Sequence, residues 1–206
     1  KGAKTAAVLY CVDSHNKPSA HKYGHYDWIH FDQIDWYRKT SDKYTAQNGG
    51  TPLPALAFFH IPILEYNNVV GKEKTIGNKE EEVASPEINS GMFCSMVEKK
   101  DVMGVFVGHD HDNDYIGIDQ GIALAFGRTT GVDAYGKLER GGRIIKMYEG
   151  KNQFDTWIRT PKGIEFEYYY PSGLSSADEQ ATEYLPEKNI QVKQQGVEYK
   201  YYEADF

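Results

Sequence analysis

Short runs of the chain are apolar at nearly every position. Residues 55–59 read ALAFF and residues 102–107 read VMGVFV. Hydrophobic side chains on both alternating faces are typical of parallel strands that helices cover on both sides, although a buried helical turn has the same pattern. Residues 5–12 form a third run of this kind. The pattern predicts an α/β fold built on parallel strands.

Helical periodicity separates these runs. Residues 32–48 place Ile34 and Tyr37 on one face, with Asp32 as the predicted N-cap and Gly49 after the last turn. A second helix is predicted after Ser90, which would be its N-cap. Its predicted buried residues are Met92, Phe93, Met96 and Val97. Strand, helix and strand together predict a βαβ unit.

Weaker signals fill the rest of the chain. Residues 122–126, 143–148 and 154–159 predict strands, and the turns between them favour an antiparallel edge on the same sheet. Residues 61–89 form a long connection, which predicts a functional lid or a disordered segment with a solvated acidic middle. We predict one domain over residues 1–160. The remainder, residues 161–206, is predicted to be a C-terminal extension of peripheral strands or partly irregular chain.

Composition narrows the classes of function. The chain has 206 residues, enough for one sizeable core, and its net charge of −7 argues against a broad nucleic-acid surface. No run approaches the roughly 18 apolar residues of a membrane span, so a soluble protein is expected. Small or peptidyl phosphate esters fit this charge better than duplex DNA. Cys11 and Cys94 are predicted to be buried free thiols, which leaves the compartment open.

Histidines follow two of the predicted strands directly. His60 comes after residues 55–59, and His109 and His111 come after residues 102–107. Ligands collect outside the carboxyl ends of strands in an open α/β sheet, and imidazole nitrogens there can bind one metal ion or two neighbouring ones. The sequence therefore predicts metal-assisted chemistry at this edge. Asp13 and Ser14 follow a third strand, either near the same cleft or in a turn.

A loop rich in histidine and aromatic residues precedes the first helix. It carries His15, His21, His25 and His30. These side chains could line a cleft, but no strand aims them, and a surface loop is the favoured interpretation.

The ordered motifs resemble the calcineurin-like metallophosphoesterases, in the branch related to purple acid phosphatases. The matching segments are residues 23–37, 54–66 (PALAFFHIPILEY), 89–92 (NSGM) and 105–114 (VFVGHDHDND). The resemblance covers roughly residues 6–158 and fits the C-terminal half of that domain. It implies half of a four-layer α/β/β/α sandwich with a mixed sheet.

The resemblance also implies a site with two metal ions about 3.5–4 Å apart, which activate water for attack on a phosphate ester. His60 and His109 would bind one ion and His111 the other. Imidazole suits Fe, Zn or Mn and does not choose among them. Asp110, Asn113 and Asp114 would either orient the histidines or cap a tight polar turn. Two further residues, Arg128 and Tyr135, are weaker candidates for contact with substrate phosphate.

One departure from the family is decisive for activity. The family also carries GDxH, GDxx(D/Y) and GNH(E/D) segments, whereas this sequence has no Gly-Asp dipeptide and no Gly-Asn-His. We therefore expect the missing N-terminal half to supply the bridging carboxylate, and we expect this chain alone to bind at most one metal weakly without turnover. The missing half, dimerisation or domain swapping would cover the exposed sheet face.

These expectations leave two functions open. The chain is either the C-terminal half of a phosphomonoesterase or phosphodiesterase, or a non-catalytic metal-binding or self-associating fragment. A metallo-β-lactamase is excluded, because its HxHxDH motif fails at Asn113 and Asp114. The sequence does not choose a location for the intact protein, with secretion or a periplasmic site as alternatives.

Overall fold

The structure, a computed structural model, describes residues 4–18 and 23–173. Within these residues the main sheet has five strands in the order β1-β2-β3-β5-β4. Its strands are β1 (Val8–Cys11), β2 (Ala55–Phe58), β3 (Val102–Val107), β4 (Ile116–Asp119) and β5 (Ile122–Phe126). Four are parallel, and β4 runs antiparallel to β5. The predicted α/β class and mixed sheet are confirmed.

Helices cover one face of this sheet. They are α1 (Phe31–Gln47), α2 (Met92–Lys99) and a 3₁₀ helix (Leu64–Val69). Tyr37 of α1 and Met96 of α2 are fully buried in the same core as Val105 of β3 and Leu124 of β5. Their periodic apolar positions explain why the sequence predicts both helices.

Both predicted helix N-caps are wrong by one or two residues. The N-cap of α1 is His30 rather than Asp32, and the His30 amide donates to Gln33 Oε1 at 2.8 Å. The N-cap of α2 is Gly91 rather than Ser90. Gly91 has a φ of +85°, a conformation that glycine adopts without the steric penalty that other residues meet there.

A second sheet packs on the other face of the main sheet. It is antiparallel, in the order β6-β7-β8. Its strands are β6 (Gly142–Met147), β7 (Phe154–Thr160) and β8 (Gly163–Tyr170). Phe154 and Tyr168 are buried against Leu56 and Met103 of the main sheet. The prediction that these strands extend the main sheet is therefore wrong, because alternate apolar residues of β7 face a separate core.

The layers of the described chain run helix, sheet, sheet. This order matches three of the four predicted layers. The second sheet covers the apolar face over β2, β3 and β5, so most of the sheet face that we expected to be open is buried. At β1 that face is open: Leu9 is 59% exposed and Cys11 is also exposed.

Both cysteines are free, and the prediction that they are buried is wrong. Cys11 and Cys94 are exposed, because each falls on the outward face of its element while its neighbours carry the core. β8 pairs with β7 across the predicted boundary at residue 160, and that boundary stays a prediction. Residues 174–206 lie outside the described part. None of the helices in the described ranges is long and apolar enough for a transmembrane segment.

The long connection between β2 and α2 is ordered against the main sheet. Ile76 pairs with Ile116 of β4, and Lys79 pairs with Asn113. The segment that we expected to be a lid or disordered is thus a loop held by β-bridges to β4 and to the turn before it. Other partners of the connection, such as Asn113, belong to the turn that follows β3, which carries two of the candidate histidines.

Candidate metal centre

The carboxyl ends of β2 and β3 bring His60 and His109 together. Beyond the last paired residues, the Phe59 amide donates to the Phe106 carbonyl at 3.2 Å, and the Gly108 amide donates to the His60 carbonyl at 3.0 Å. Parallel pairing therefore continues past the named strand ends. The rings of His60 and His109 are therefore in contact, as their places at neighbouring strand ends predict, while their role as metal ligands stays a prediction.

Local backbone geometry turns the two rings toward each other. His109 has a φ of +73°, in the left-handed region that residues with a side chain rarely adopt. Its Nδ1 lies 3.3 Å from His60 Nε2, and the ring planes are 82° apart. Gly108 leaves room for this approach, because a Cβ there would lie 3.3 Å from His60 Nδ1.

This separation fits a shared metal ion. Two nitrogens at about 2.0–2.1 Å from one tetrahedral ion are about 3.4 Å apart. The observed distance between His109 Nδ1 and His60 Nε2 is 3.3 Å. Imidazole nitrogen is also a ligand that Zn, Fe and Mn accept. The nitrogen–nitrogen distance is thus in the range that one shared ion requires, and the same distance allows a hydrogen bond between the two rings.

His111 lies on the same turn, and its Nδ1 is occupied. That nitrogen is 3.1 Å from the Tyr135 carbonyl oxygen. Because a carbonyl oxygen can only accept, Nδ1 must carry the proton, and in the neutral ring the lone pair is then on Nε2. His111 can bind a metal through Nε2.

Burial keeps the His109 imidazole in the neutral form. It lowers the pKa of His109 below the usual 6.5, and the imidazoles of His60 and His111 act in the same direction, against the Glu81 carboxylate. Neutral imidazole is the form that binds a metal. Burial also raises the pKa of Asp110 to about 7.

The neighbouring loop is held by three polar side chains of the turn after β3, those of Asp110, Asn113 and Asp114. Asp110 Oδ2 accepts from the Ala84 amide at 3.2 Å, and Asn113 Oδ1 accepts from the Glu80 and Glu81 amides. Asp114 Oδ1 accepts from the Asn78 amide at 2.6 Å. These contacts fasten the long connection to the turn. The predicted role of Asp110, Asn113 and Asp114 in orienting histidines stays a prediction.

Two other candidates have separate outcomes. Ser14 Oγ accepts from the amides of His60 and Ile61, so the end of β1 lies beside the site, which is one of the two alternatives that the sequence left open. Arg128 is 7% exposed and binds Asp114 and Glu165, so its predicted contact with substrate phosphate is wrong. The buried Asp114 carboxylate forms an ion pair with the Arg128 guanidinium, which is therefore also buried.

The loop before α1 only partly matches the surface prediction. Its His15 and His30 rings lie 4.4 Å apart, and His30 Nε2 is 3.0 Å from Asp27 Oδ1. His25 is 88% exposed beside Glu87. The ring of Tyr26 packs edge-on against His109, with centroids 4.7 Å apart. His21 lies outside the described residues.

Sequence reasoning missed one participant. Glu81 belongs to the acidic stretch that we expected to be solvated, yet its carboxylate accepts from the Asp112 amide at 2.7 Å and from the Tyr135 hydroxyl at 3.0 Å. Nothing in the local pattern distinguishes Glu81 from its acidic neighbours. Only the approach of the 112 and 135 loops identifies it.

The described residues do not contain a complete metal cage. Over residues 4–18 and 23–173, no group of three or more histidine, cysteine, aspartate or glutamate side chains is arranged to hold a metal ion. The assignment of His60, His109 and His111 as metal ligands therefore stays a prediction.

Comparison with known proteins identifies relatives of the chain. The chain is 35% identical over 162 residues to "Probable inactive purple acid phosphatase 29" of Arabidopsis thaliana, covering 75% of this chain and 42% of that protein. It is 36% identical over 183 residues to "Probable inactive purple acid phosphatase 28" of the same plant, covering 85% and 44%. The chain is a homologue of the purple acid phosphatase-like proteins. No protein-family model matches it.

Two further matches are to a yeast protein and a solved structure that are named as phosphatases. "Phosphatase DCR2" of Saccharomyces cerevisiae is 35% identical over 174 residues, covering 76% of this chain and 29% of that protein. A solved dimetal phosphatase from Danio rerio superposes with a TM-score of 0.47 at 13% identity, covering 70% of this chain and 39% of that chain. The chain spans less than half the length of these plant relatives.

Proposed function

We propose that this chain supplies the histidine half of a two-metal phosphoric ester hydrolase. The observation that carries the proposal is the 3.3 Å separation of His109 Nδ1 and His60 Nε2 at the ends of adjacent strands. His60 and His109 would hold one ion, and His111 would hold the second through Nε2. Bound metal ions supply Lewis acidity toward a phosphoryl oxygen and lower the pKa of water.

The remaining residues of the site would hold the ligands and restrict access. Ser14 fixes the backbone at His60 through two accepted hydrogen bonds. Tyr26 forms a wall against the His109 ring. Such packing excludes bulk water on one side of the histidine pair, which strengthens electrostatic interactions inside the site.

Carboxylate ligands would come from an N-terminal half of the same protein. The β1 edge of the main sheet supports this part of the proposal. Among the described residues β1 stands at one end of the strand order, and it exposes Leu9 on the sheet face that the second sheet buries at β2, β3 and β5. A segment packed there would lie beside the strand that delivers Ser14 to the centre. Sedimentation of the isolated chain tests the alternative, in which a second copy covers this face.

Metal binding by the chain itself is the first test. We expect Zn²⁺ titration calorimetry to detect weak binding of one ion, and His60→Ala and His109→Ala to abolish it, because each removes a ligand nitrogen. The exposed His25→Ala is the matched control and should leave binding unchanged. Equal affinity in His109→Ala and the parent chain would contradict the proposed site.

Hydrolysis tests the catalytic part of the proposal. In the full-length protein that contains this chain, His109→Ala should lower turnover of an aryl phosphate at least about a hundredfold, because a direct metal ligand is lost. The chain alone should show no appreciable turnover. Turnover by the isolated chain would refute the division of the metal cage between two halves.

A non-catalytic metal-binding or self-associating fragment is the second candidate. Two plant relatives carry the word "inactive" in their names. The described residues also lack a three-residue metal cage. A full-length protein that binds Zn²⁺ through His60 and His109 but hydrolyses no phosphate ester would favour this function.

A further inference from the structure

The glycine-rich loop after β5 closes over His111. The Tyr135 ring stacks on the His111 ring with centroids 4.0 Å apart and planes 21° apart. The Tyr135 carbonyl accepts from His111 Nδ1 at 3.1 Å, and the Tyr135 hydroxyl accepts from the His111 amide at 3.3 Å. One residue therefore contacts the face, the edge and the backbone of this histidine.

Glu81 holds Tyr135 in this position. The Tyr135 hydroxyl donates to Glu81 Oε2 at 3.0 Å, while Glu81 Oε1 accepts from the Asp112 amide at 2.7 Å. The same carboxylate thus joins the loop of Tyr135 to the turn of His111.

The turn itself is closed from the opposite side. Asp112 Oδ1 accepts from the amides of Lys137 and Leu138, at 2.5 and 3.2 Å. Gly136, with a φ of +114°, lies against this carboxylate, and a Cβ there would be 2.8 Å from Asp112 Oδ1. Arg140 donates to the carbonyl of Tyr135 at 3.2 Å. The Tyr135 carbonyl is therefore fixed where His111 Nδ1 meets it.

We propose that Tyr135 and Glu81 are positioning residues that hold His111 as its Nδ1–H tautomer and direct Nε2 toward the metal centre. The proposal rests on the proposed function for the identity of the centre. The hydrogen bond made by one ring nitrogen sets which nitrogen is left to bind a metal. A ring free to turn would divide its population between two tautomers and two orientations, which weakens binding through Nε2.

Nuclear magnetic resonance of the metal-free chain tests the tautomer directly. Long-range ¹H–¹⁵N spectra at pH 7.5 should show His111 with a protonated Nδ1. Tyr135→Phe keeps the stacked ring but removes the hydroxyl, and Tyr135→Leu removes both. We expect a mixed tautomer in Tyr135→Phe and a more complete loss of preference in Tyr135→Leu. Glu81→Ala should resemble Tyr135→Phe.

Matched controls separate this role from a general effect on folding. Tyr148→Phe removes another hydroxyl that donates to a carboxylate, that of Asp155, on the second sheet. Glu82→Ala alters the exposed neighbour of Glu81. Both controls should leave the His111 spectrum unchanged. Backbone amide spectra of Tyr135→Phe and Glu81→Ala should show changes confined to residues around 80–82, 109–113 and 131–138.

In the full-length protein we expect Glu81→Ala and Tyr135→Phe to weaken Zn²⁺ affinity about tenfold, the lower end for loss of a partner behind a metal ligand. A pure Nδ1–H tautomer that persists in Tyr135→Leu and Glu81→Ala would overturn the proposal, as would an Nε2–H tautomer in the parent chain. Failure of the parent protein to bind Zn²⁺ would refute the proposed function instead, and the tautomer spectra would still decide the positioning role.

Discussion

The conformation of His109 shows how one residue shapes the candidate centre. A non-glycine residue with a φ of +73° carries a steric cost, and the observed strain is located where the ring must turn back toward His60. Parallel pairing of the Gly108 amide with the His60 carbonyl keeps the residue in place. The strained backbone thus places the His109 ring against that of His60.

Asp119 is a second single residue with an effect on the whole protein: it makes the stability of the fold depend on pH. Burial acts to raise its pKa, but hydrogen bonds from Lys72 and Asn68 outweigh burial, and the pKa falls below the usual 3.8. A carboxyl whose pKa is depressed in the folded state stabilises the protein above its unfolded pKa. That stability is lost as the pH falls through the folded pKa.

We therefore expect Asp119→Asn to lower the free energy of unfolding at pH 6 and to have a smaller effect at pH 2.5. Urea unfolding at the two pH values measures this difference. Asp35→Asn is the control, because its ion pair with Lys39 is exposed on α1 and should contribute little at either pH. An Asp119→Asn effect that is equal at both pH values would contradict the argument.

At the level of elements, the long connection between β2 and α2 stabilises the turn that carries His109 and His111. Gly77, with a φ of +118°, passes directly over Tyr115, where an added Cβ would lie 2.4 Å from the Tyr115 Cα. This close approach allows Ile76 to pair with Ile116. The connection can follow β4 only if position 77 has no side chain.

Gly77→Ala should therefore destabilise the protein by about 2–4 kcal/mol, from backbone strain together with a clash against backbone atoms. Gly121→Ala is the matched control: its φ of +80° is also positive, but an added Cβ meets nothing within 4 Å. We expect a cost of about 1 kcal/mol there. Equal free energies of unfolding in the two variants would show that the connection yields at position 77.

For the whole molecule, a buried cluster of charges joins the two sheets. Arg128, which follows β5, donates to Asp114 and, at 2.9 Å, to Glu165 Oε2 of β8. Arg143 of β6 donates to the Asp114 carbonyl at 2.5 Å. The turn of the candidate site is thereby tied to the second sheet as well as to the first.

Arg128→Leu should cost about 3–5 kcal/mol, because it leaves the buried Asp114 carboxylate without its cation. The control is Arg38→Leu, whose exposed pair with Glu98 should contribute under about 1 kcal/mol. Chemical denaturation followed by circular dichroism compares the two variants. A small effect of Arg128→Leu would mean that water reaches Asp114 in the folded state.

The sequence by itself determined the elements whose signal is local. Core strands such as β3 and β5, and the apolar faces of α1 and α2, follow from periodicity within a few residues. Strand ends also placed His60 and His109 at one edge, because parallel strands deliver their carboxyl ends together. The sequence alone was therefore enough to propose metal-assisted chemistry at this edge.

Only the tertiary structure decided the second sheet and the surroundings of His111. β6, β7 and β8 alternate as any antiparallel strands do, and no local signal tells whether they extend the main sheet or pack upon it. Glu81, His111 and Tyr135 are far apart in the chain, yet a carbonyl and a carboxylate from distant loops set the tautomer of one ring. Hydrogen-bond partners of this kind depend on which loops meet, and periodicity carries no information about that.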